Sequence, residues 1–146
     1  MSVVTNRIAN LQAEMKKLGI DAVYVNSAEN HLYFSGFDNP DGYVVITFDK
    51  TYLFADSRYI EAAKAEADKS IVVCLPGQPT VKELVHDLGI KSIGYEDERM
   101  TCAGLEGLKR SVGDDKVEYK PMGGLFVEIR SYKTEDEVEN IVAAQR

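Results

Sequence analysis

Few residues in this chain have side chains suited to chemistry, and most of those few already have a structural duty. There are two histidines, two cysteines and no tryptophan in 146 residues. His86 stands beside Asp87 on a helical stretch and reads as a solvated surface residue. His31 begins a short helical turn, where packing is the simpler reading than a ligand or acid–base role. Two histidines without an HExxH helix cannot build a histidine-rich metal site. Glu96-Asp97-Glu98 is a local acidic trio and reads as a solvated loop. General acid–base work needs two groups held in unlike environments, and no spacing here supplies them. A strand-linked GxGxxG, a P-loop and a GxSxG elbow are all missing. At the join of a strand and a helix stand one cation and one aromatic side by side, Arg58-Tyr59. A guanidinium offers paired donors to a carboxylate or carbonyl.

The elements around that pair decide where it stands. Thr51 to Ala55 is an apolar strand, and Arg58 to Ala67 is an Ala/Glu/Lys helix. Asp56 or Ser57 at the join can accept hydrogen bonds from the first free helix amides. Arg58 and Tyr59 thus leave the end of a sheet together, and a strand, a cap and a solvated first turn remains the simpler account of them.

The rest of the chain alternates helix and strand. A helix from Asn6 to Leu18 places Ile8, Leu11, Met15 and Leu18 on one face. Gly19 caps it, and Asp21 to Asn26 is the first strand. Leu18-Gly19-Ile20-Asp21 is echoed by Leu88-Gly89-Ile90-Lys91, a recurring helix–strand junction rather than a duplication. Ser27 to Phe37 is a short helical turn whose Tyr33, Phe34 and Phe37 read as core, followed by a turn cluster at Asp38 to Gly42. Tyr43 to Phe48 and Thr51 to Ala55 flank Asp49-Lys50 as a β-hairpin. Ser70 to Leu75 is apolar on both faces, as in a strand covered by helices on each side. Pro79 and a capping box, Thr80 with Glu83, open a helix carrying Val81, Leu84, Val85 and Leu88 inward. A strand at Ser92 to Glu96, a helix at Thr101 to Val112 and a strand at Lys116 to Lys120 follow. After the turn Pro121 to Gly124 comes a short helix, Leu125 to Ile129. A second capping box at Thr134 opens a helix still running at Arg146, as if cut from something longer. The expected fold is α/β, a three-layer sandwich. Its mixed, mostly parallel sheet has about six strands and one hairpin, with helices on both faces.

Composition bounds the partners. The chain carries 24 acidic and 17 basic residues, a formal charge of -7, with 45% hydrophobic residues. That balance argues against nucleic acid and against an anionic membrane surface. No stretch resembles a signal peptide or a membrane span. Cys74 and Cys102 are too few and too irregularly placed for a disulfide framework, so reduced thiols and a cytoplasmic protein are the default.

Three segments, in order, resemble the N-terminal domain of the creatinase/prolidase/aminopeptidase P family. They are Asn30-His31-Leu32-Tyr33-Phe34-Ser35-Gly36-Phe37, Leu53-Phe54-Ala55-Asp56-Ser57-Arg58-Tyr59, and Ile129-Arg130-Ser131-Tyr132-Lys133-Thr134 with Glu137. Tyr132 replaces the usual aliphatic before Lys133, and Phe34 stands where leucine is common. The resemblance implies a ribonuclease H-like small domain over residues 1–131. Residues 132–146 would start the linker helix into a C-terminal catalytic domain. That second domain would hold two divalent metal ions, manganese or cobalt, through ligands beyond Arg146, so no metal or catalytic residue is expected in this segment. The parent would be an aminopeptidase P or Xaa-Pro dipeptidase, with a creatinase-like amidinohydrolase left open. It would form a homodimer and act on short proline-containing peptides. The small domain would pack against its own catalytic domain and a partner subunit, helping to wall the cleft. Arg58 and Tyr59 match the element that faces the cleft across the subunit interface. Two other readings stand beside this one: a stand-alone module binding a small ligand or peptide at the sheet's C-terminal edge, and a non-enzymatic interaction domain like histone-chaperone relatives of this fold.

Overall fold

The structure is a computed structural model that describes residues 3–37, 42–75, 80–122 and 124–131. The turn at 38–41, Pro79, Gly123, and everything expected of 132–146 lie outside those residues. In chain order the elements are α1 (Val3–Leu18), β1 (Ala22–Val25), α2 (Ala28–Ser35), β2 (Tyr43–Thr47), β3 (Thr51–Phe54) and α3 (Ile60–Glu66). They continue as β4 (Ile71–Cys74), α4 (Val81–Asp87), β5 (Ser92–Tyr95), α5 (Cys102–Val112), β6 (Glu118–Pro121) and α6 (Leu125–Ser131).

The strands form one mixed sheet in the order β4-β3-β2-β1-β5-β6. β2 is antiparallel to both β1 and β3, while the β1–β5, β3–β4 and β5–β6 pairs are parallel. β2 therefore runs against the other five strands. The hairpin forms as expected, with Phe48 joining Asp49 and Lys50 in its loop. Thr47 closes it: its Oγ1 donates to the Lys50 carbonyl at 2.7 Å and accepts the Lys50 amide at 3.0 Å.

Two apolar clusters sandwich the sheet. On one face Leu11 and Met15 of α1, Phe34 of α2, Ala63 of α3 and Phe126 of α6 meet Val23, Val44, Ile46 and Leu53. On the other, Val81, Leu84 and Val85 of α4 and Leu108 and Val112 of α5 meet Ala22, Val45, Phe54 and Ile93. This is the expected three-layer arrangement.

The two repeated junctions lie side by side, because β1 pairs with β5. Gly19 and Gly89 both take positive φ, +69 and +64°, where an L side chain is strained. Each is followed by an amide reaching back five residues, Ile20 N to Met15 O at 2.9 Å and Ile90 N to Val85 O at 3.0 Å. That reversal turns Ile20 and Ile90 into the core and leaves Leu18 and Leu88 outside. The inward reading of both leucines is thereby corrected: helical periodicity stops one residue before the capping glycine. The junctions also bond to each other. Asp21 Oδ2 accepts the Lys91 amide at 2.8 Å, the Asp21 amide donates to Ser92 Oγ at 3.0 Å, and Ser92 Oγ donates to the Gly19 carbonyl at 2.9 Å.

β4 is an edge strand of the sheet. Ile71 belongs to the cluster containing Ala63, and Cys74 to the one containing Val81. Both faces are thus covered, as the two-faced apolar run predicts.

Candidate functional site

The Asp56 to Tyr59 segment follows the end of β3 as a tight turn, and α3 starts only at Ile60. Asp56 serves the turn rather than the helix, which corrects its reading as a helix cap. Its Oδ1 accepts the Arg58 amide at 2.9 Å, and its carbonyl accepts the Tyr59 amide at 3.0 Å. Tyr59 is the residue that precedes the helix and makes no side-chain capping bond. The Arg58 guanidinium folds back on the same carboxylate, Nη2 to Asp56 Oδ2 at 2.8 Å and Nε at 3.3 Å. That side-chain bond is the main cause holding the Asp56 carboxyl below its ordinary value of 3.8. Arg58 also lies 5.3 Å from the Tyr59 ring centroid, and Tyr59 packs half-buried against the core. Both residues are together at the sheet end as expected, with the Arg58 side chain 68% exposed.

A more tightly built polar site lies at the ends of β1 and β5, and sequence reasoning missed it. Glu96, read as solvated, is 3% exposed. Its Oε2 accepts the amides of Asn26 and Ser27 at 2.7 and 2.8 Å. Its Oε1 accepts Ser27 Oγ at 2.6 Å and the Asn30 side-chain amide. Ser27 is the N-cap of α2, its side chain accepting the Asn30 amide. Arg99 adds an outer clasp, Nη2 to Glu29 Oε1 at 2.9 Å. The signal was present but weak: Ser27-x-x-Asn30 opens a helix, and Glu96 directly follows a strand. Parallel sheets take ligands at the carboxyl ends of their strands. Here that crevice is filled from within by the Glu96 carboxylate.

His31 is also structural. It is 1% exposed, with Nδ1 2.9 Å from the Phe37 carbonyl and 3.3 Å from Ser35 Oγ. Phe34 and Phe37 are core, as expected. Half-buried Tyr33 ties helices together: Arg7 sits 4.1 Å over its ring and donates to its carbonyl at 3.0 Å. His86 is the exposed residue expected, 3.2 Å from Asp87.

Five strand tyrosines, at positions 24, 43, 52, 95 and 119, are all half-buried. Tyr24 lies 5.1 Å from Tyr43, which stacks on Phe54 at 4.7 Å. Burial, with Tyr43 adding, pushes the Tyr24 phenol up to about 12. Among the described residues no group of three His, Cys, Asp or Glu is placed to hold a metal ion. A surface cavity of about 790 Å³ lies between the end of α5 and β6, lined by Lys109, Arg110, Asp114 and Tyr119 among others. It shares no residue with the Asp56 to Tyr59 turn. No helix among the described residues is long and apolar enough to cross a membrane.

Comparison with known proteins bears on what this arrangement serves. Residues 7–132 match the family model described as the creatinase/prolidase N-terminal domain. A probable Xaa-Pro aminopeptidase P of Coprinopsis cinerea is 30% identical over 142 residues, covering 86% of this chain and 23% of that protein. An uncharacterized peptidase of Bacillus subtilis is 27% identical, covering 96% of this chain and 40% of that one. Among solved structures, an X-Pro aminopeptidase from Thermotoga maritima superposes with a TM-score of 0.80 at 27% identity, over 90% of this chain and 38% of its own. The chain therefore spans between about a quarter and two fifths of these relatives. With residues 7–132 inside the family's pattern and the sheet and helices of its solved neighbours, the chain belongs to the creatinase/prolidase N-terminal domain family.

Proposed function

We propose that this chain is the non-catalytic N-terminal domain of an Xaa-Pro metallopeptidase, an aminopeptidase P or Xaa-Pro dipeptidase. The observation that carries the proposal is an asymmetry of coverage. The chain is matched over 86% of its length by a relative of which it spans only 23%. In this reading the remainder of the parent holds the catalytic domain and its two divalent ions, manganese or cobalt. Such ions supply Lewis-acid activation and a nucleophile from water. The parent works as a cytoplasmic homodimer, and the two free cysteines suit a reducing compartment. Residues 1–131 are the small domain, and 132–146 open the connection to the catalytic one.

The domain's contribution is geometric. It packs against the catalytic domain and a partner subunit, and limits which peptides enter the cleft. Exclusion of poor fits is as much a source of specificity as attraction. Arg58 is the group that meets substrate in this proposal, offering its guanidinium to a peptide carboxylate or carbonyl, with Tyr59 as its packed support. The Asp56 carboxylate pre-orients that guanidinium from behind, which lowers the ordering cost of a contact. The test is Arg58→Ala in the full-length parent. The expected loss in kcat/KM on Xaa-Pro substrates exceeds about fivefold, since a charged contact contributes over about 1 kcal/mol. A value within about twofold of wild type removes Arg58 from substrate recognition.

A further inference from the structure

We infer that the free edge of β4 is a self-association surface, and that its partner is β4 of a second copy of this chain. The inference deepens the homodimer reading above, on which it rests, by naming a surface that two copies share. The sheet ends in β4 on one side and β6 on the other, and the two edges differ. In β6 the amides of Glu118 and Met122 bond toward β5, to the carbonyls of Lys91 and Tyr95 at 2.9 and 3.0 Å. Alternation turns positions 119 and 121 outward, and 121 is a proline with no N–H to offer. Glu118 and Lys120 add charge to that edge. β4 carries none of these guards. Ser70 to Leu75 reads Ser-Ile-Val-Val-Cys-Leu, without charge or proline. It pairs with β3 along its whole length, and its outer side is a template for another strand.

The strand that fits follows from the direction of each peptide group. The Cys74 carbonyl accepts the Ala55 amide at 3.0 Å, so position 74 faces β3, and position 72 with it. Trans peptides then point the Val73 N–H and C=O, the Ile71 C=O and the Leu75 N–H away from β3. The Ile71 N–H is already donated to the Asp68 carbonyl at 3.0 Å. The edge therefore presents two donors and two acceptors, and among the described residues no hydrogen bond reaches them. An antiparallel copy centred on Val73 matches all four. Each Val73 amide meets the other Val73 carbonyl, and each Leu75 amide meets the other Ile71 carbonyl. The same register sets Val72 against Cys74 and Ile71 against Leu75, apolar against apolar. Val72 and Val73 are the half-buried members of the strand, and the second copy covers them. The edge is its own complement under a two-fold axis, which selects a second copy over an unrelated peptide.

The experiment is sedimentation equilibrium of the purified chain from about 5 to 500 µM, where a dissociation constant on the order of 100 µM is expected for so small an interface. Val73→Pro removes an N–H that β3 does not use. It should melt within about 5 °C of wild type while raising the dimer dissociation constant at least about tenfold. Val72→Pro removes an N–H that faces β3 and should melt about 10 °C early, which sets the scale. Val73→Lys sets like charges face to face at the two-fold axis, and it serves if the proline variant does not fold. Deuterium exchange at the Val73 and Leu75 amides should slow as the chain concentration rises, while exchange at the Tyr119 amide should not. A chain still monomeric at about 500 µM, or a dimer that ignores both Val73 substitutions, overturns the inference. In the full-length parent the two readings separate. A parent dimer weakened by Val73→Lys supports this edge. A dimer no weaker in that variant removes the edge and leaves the homodimer reading standing, and a parent that is monomeric without substitution overturns both.

Discussion

Asp21→Ala tests whether the two repeated helix–strand junctions hold each other. Asp21 and Lys91 occupy equivalent places in the two junctions, and their opposite charges invite an ion-pair reading. The geometry says otherwise, because Asp21 Oδ2 accepts the Lys91 backbone amide at 2.8 Å. A hydrogen bond to a charged group contributes about 1.5–3 kcal/mol, and half-burial of Asp21 places it at the lower end. For a chain of this size each kcal/mol moves the midpoint by about 3 °C, so Asp21→Ala should melt about 4–6 °C early. Urea unfolding should show the same loss as a lower midpoint at unchanged slope. Asp21→Asn keeps an acceptor at that point and should recover most of the loss. Lys91→Ala keeps the backbone amide and should be silent, within about 0.5 kcal/mol. Ser92→Ala removes the hydroxyl that the Asp21 amide meets and that donates to Gly19, at a cost of about 1 kcal/mol. The double variant should depart from additivity by about 0.5 kcal/mol or more, because both bonds brace one junction. Should Lys91→Ala cost as much as Asp21→Ala, the bond is a side-chain ion pair and the reasoning is refuted.

Two predictions depend on pH. The Tyr24 phenol sits at about 12 in the fold against 10.0 unfolded, so above pH 10 the unfolded chain releases its proton first. Stability should therefore fall between pH 10 and 12, by up to about 2–3 kcal/mol from this group. Tyr24→Phe should flatten part of that fall in urea midpoints measured against pH; an unchanged slope would contradict the burial argument. Asp56 has the opposite sign. Its carboxyl is depressed by Arg58, so its contribution is present above 3.8 and is lost as the pH drops through the lower folded value. Carboxyl-carbon NMR titration should find Asp56 ionising below the ordinary range, and Arg58→Ala should return it to that range.

Much of the architecture was legible because local signals agreed with one another. Glycine caps, a hairpin between two apolar runs and helix-spaced apolar residues each named an element, and the sheet needed little more. The misreadings have two causes, a local stop to a helical period and burial decided by neighbours distant in sequence. Leu18 and Leu88 continue a helical period that the αL glycine ends one residue later. Glu96 is the sharpest case. Its partners lie 66 to 70 residues earlier, so a run of three acidic residues concealed one buried carboxylate and two exposed ones. The Arg58-Tyr59 tip was legible because strand, turn and helix meet within a few residues. What sequence did not give was the folding of Arg58 onto Asp56.

We propose a division of labour, with this chain as scaffold and the chemistry encoded elsewhere in the parent. The direct measurement is to supply the purified 146-residue chain with excess Mn²⁺ or Co²⁺ and a short Xaa-Pro peptide. Product formation is then followed alongside metal binding by calorimetry. No hydrolysis above the metal-only control and no tight two-ion binding are expected. Turnover of the peptide by this chain, or two ions held tightly, would contradict it.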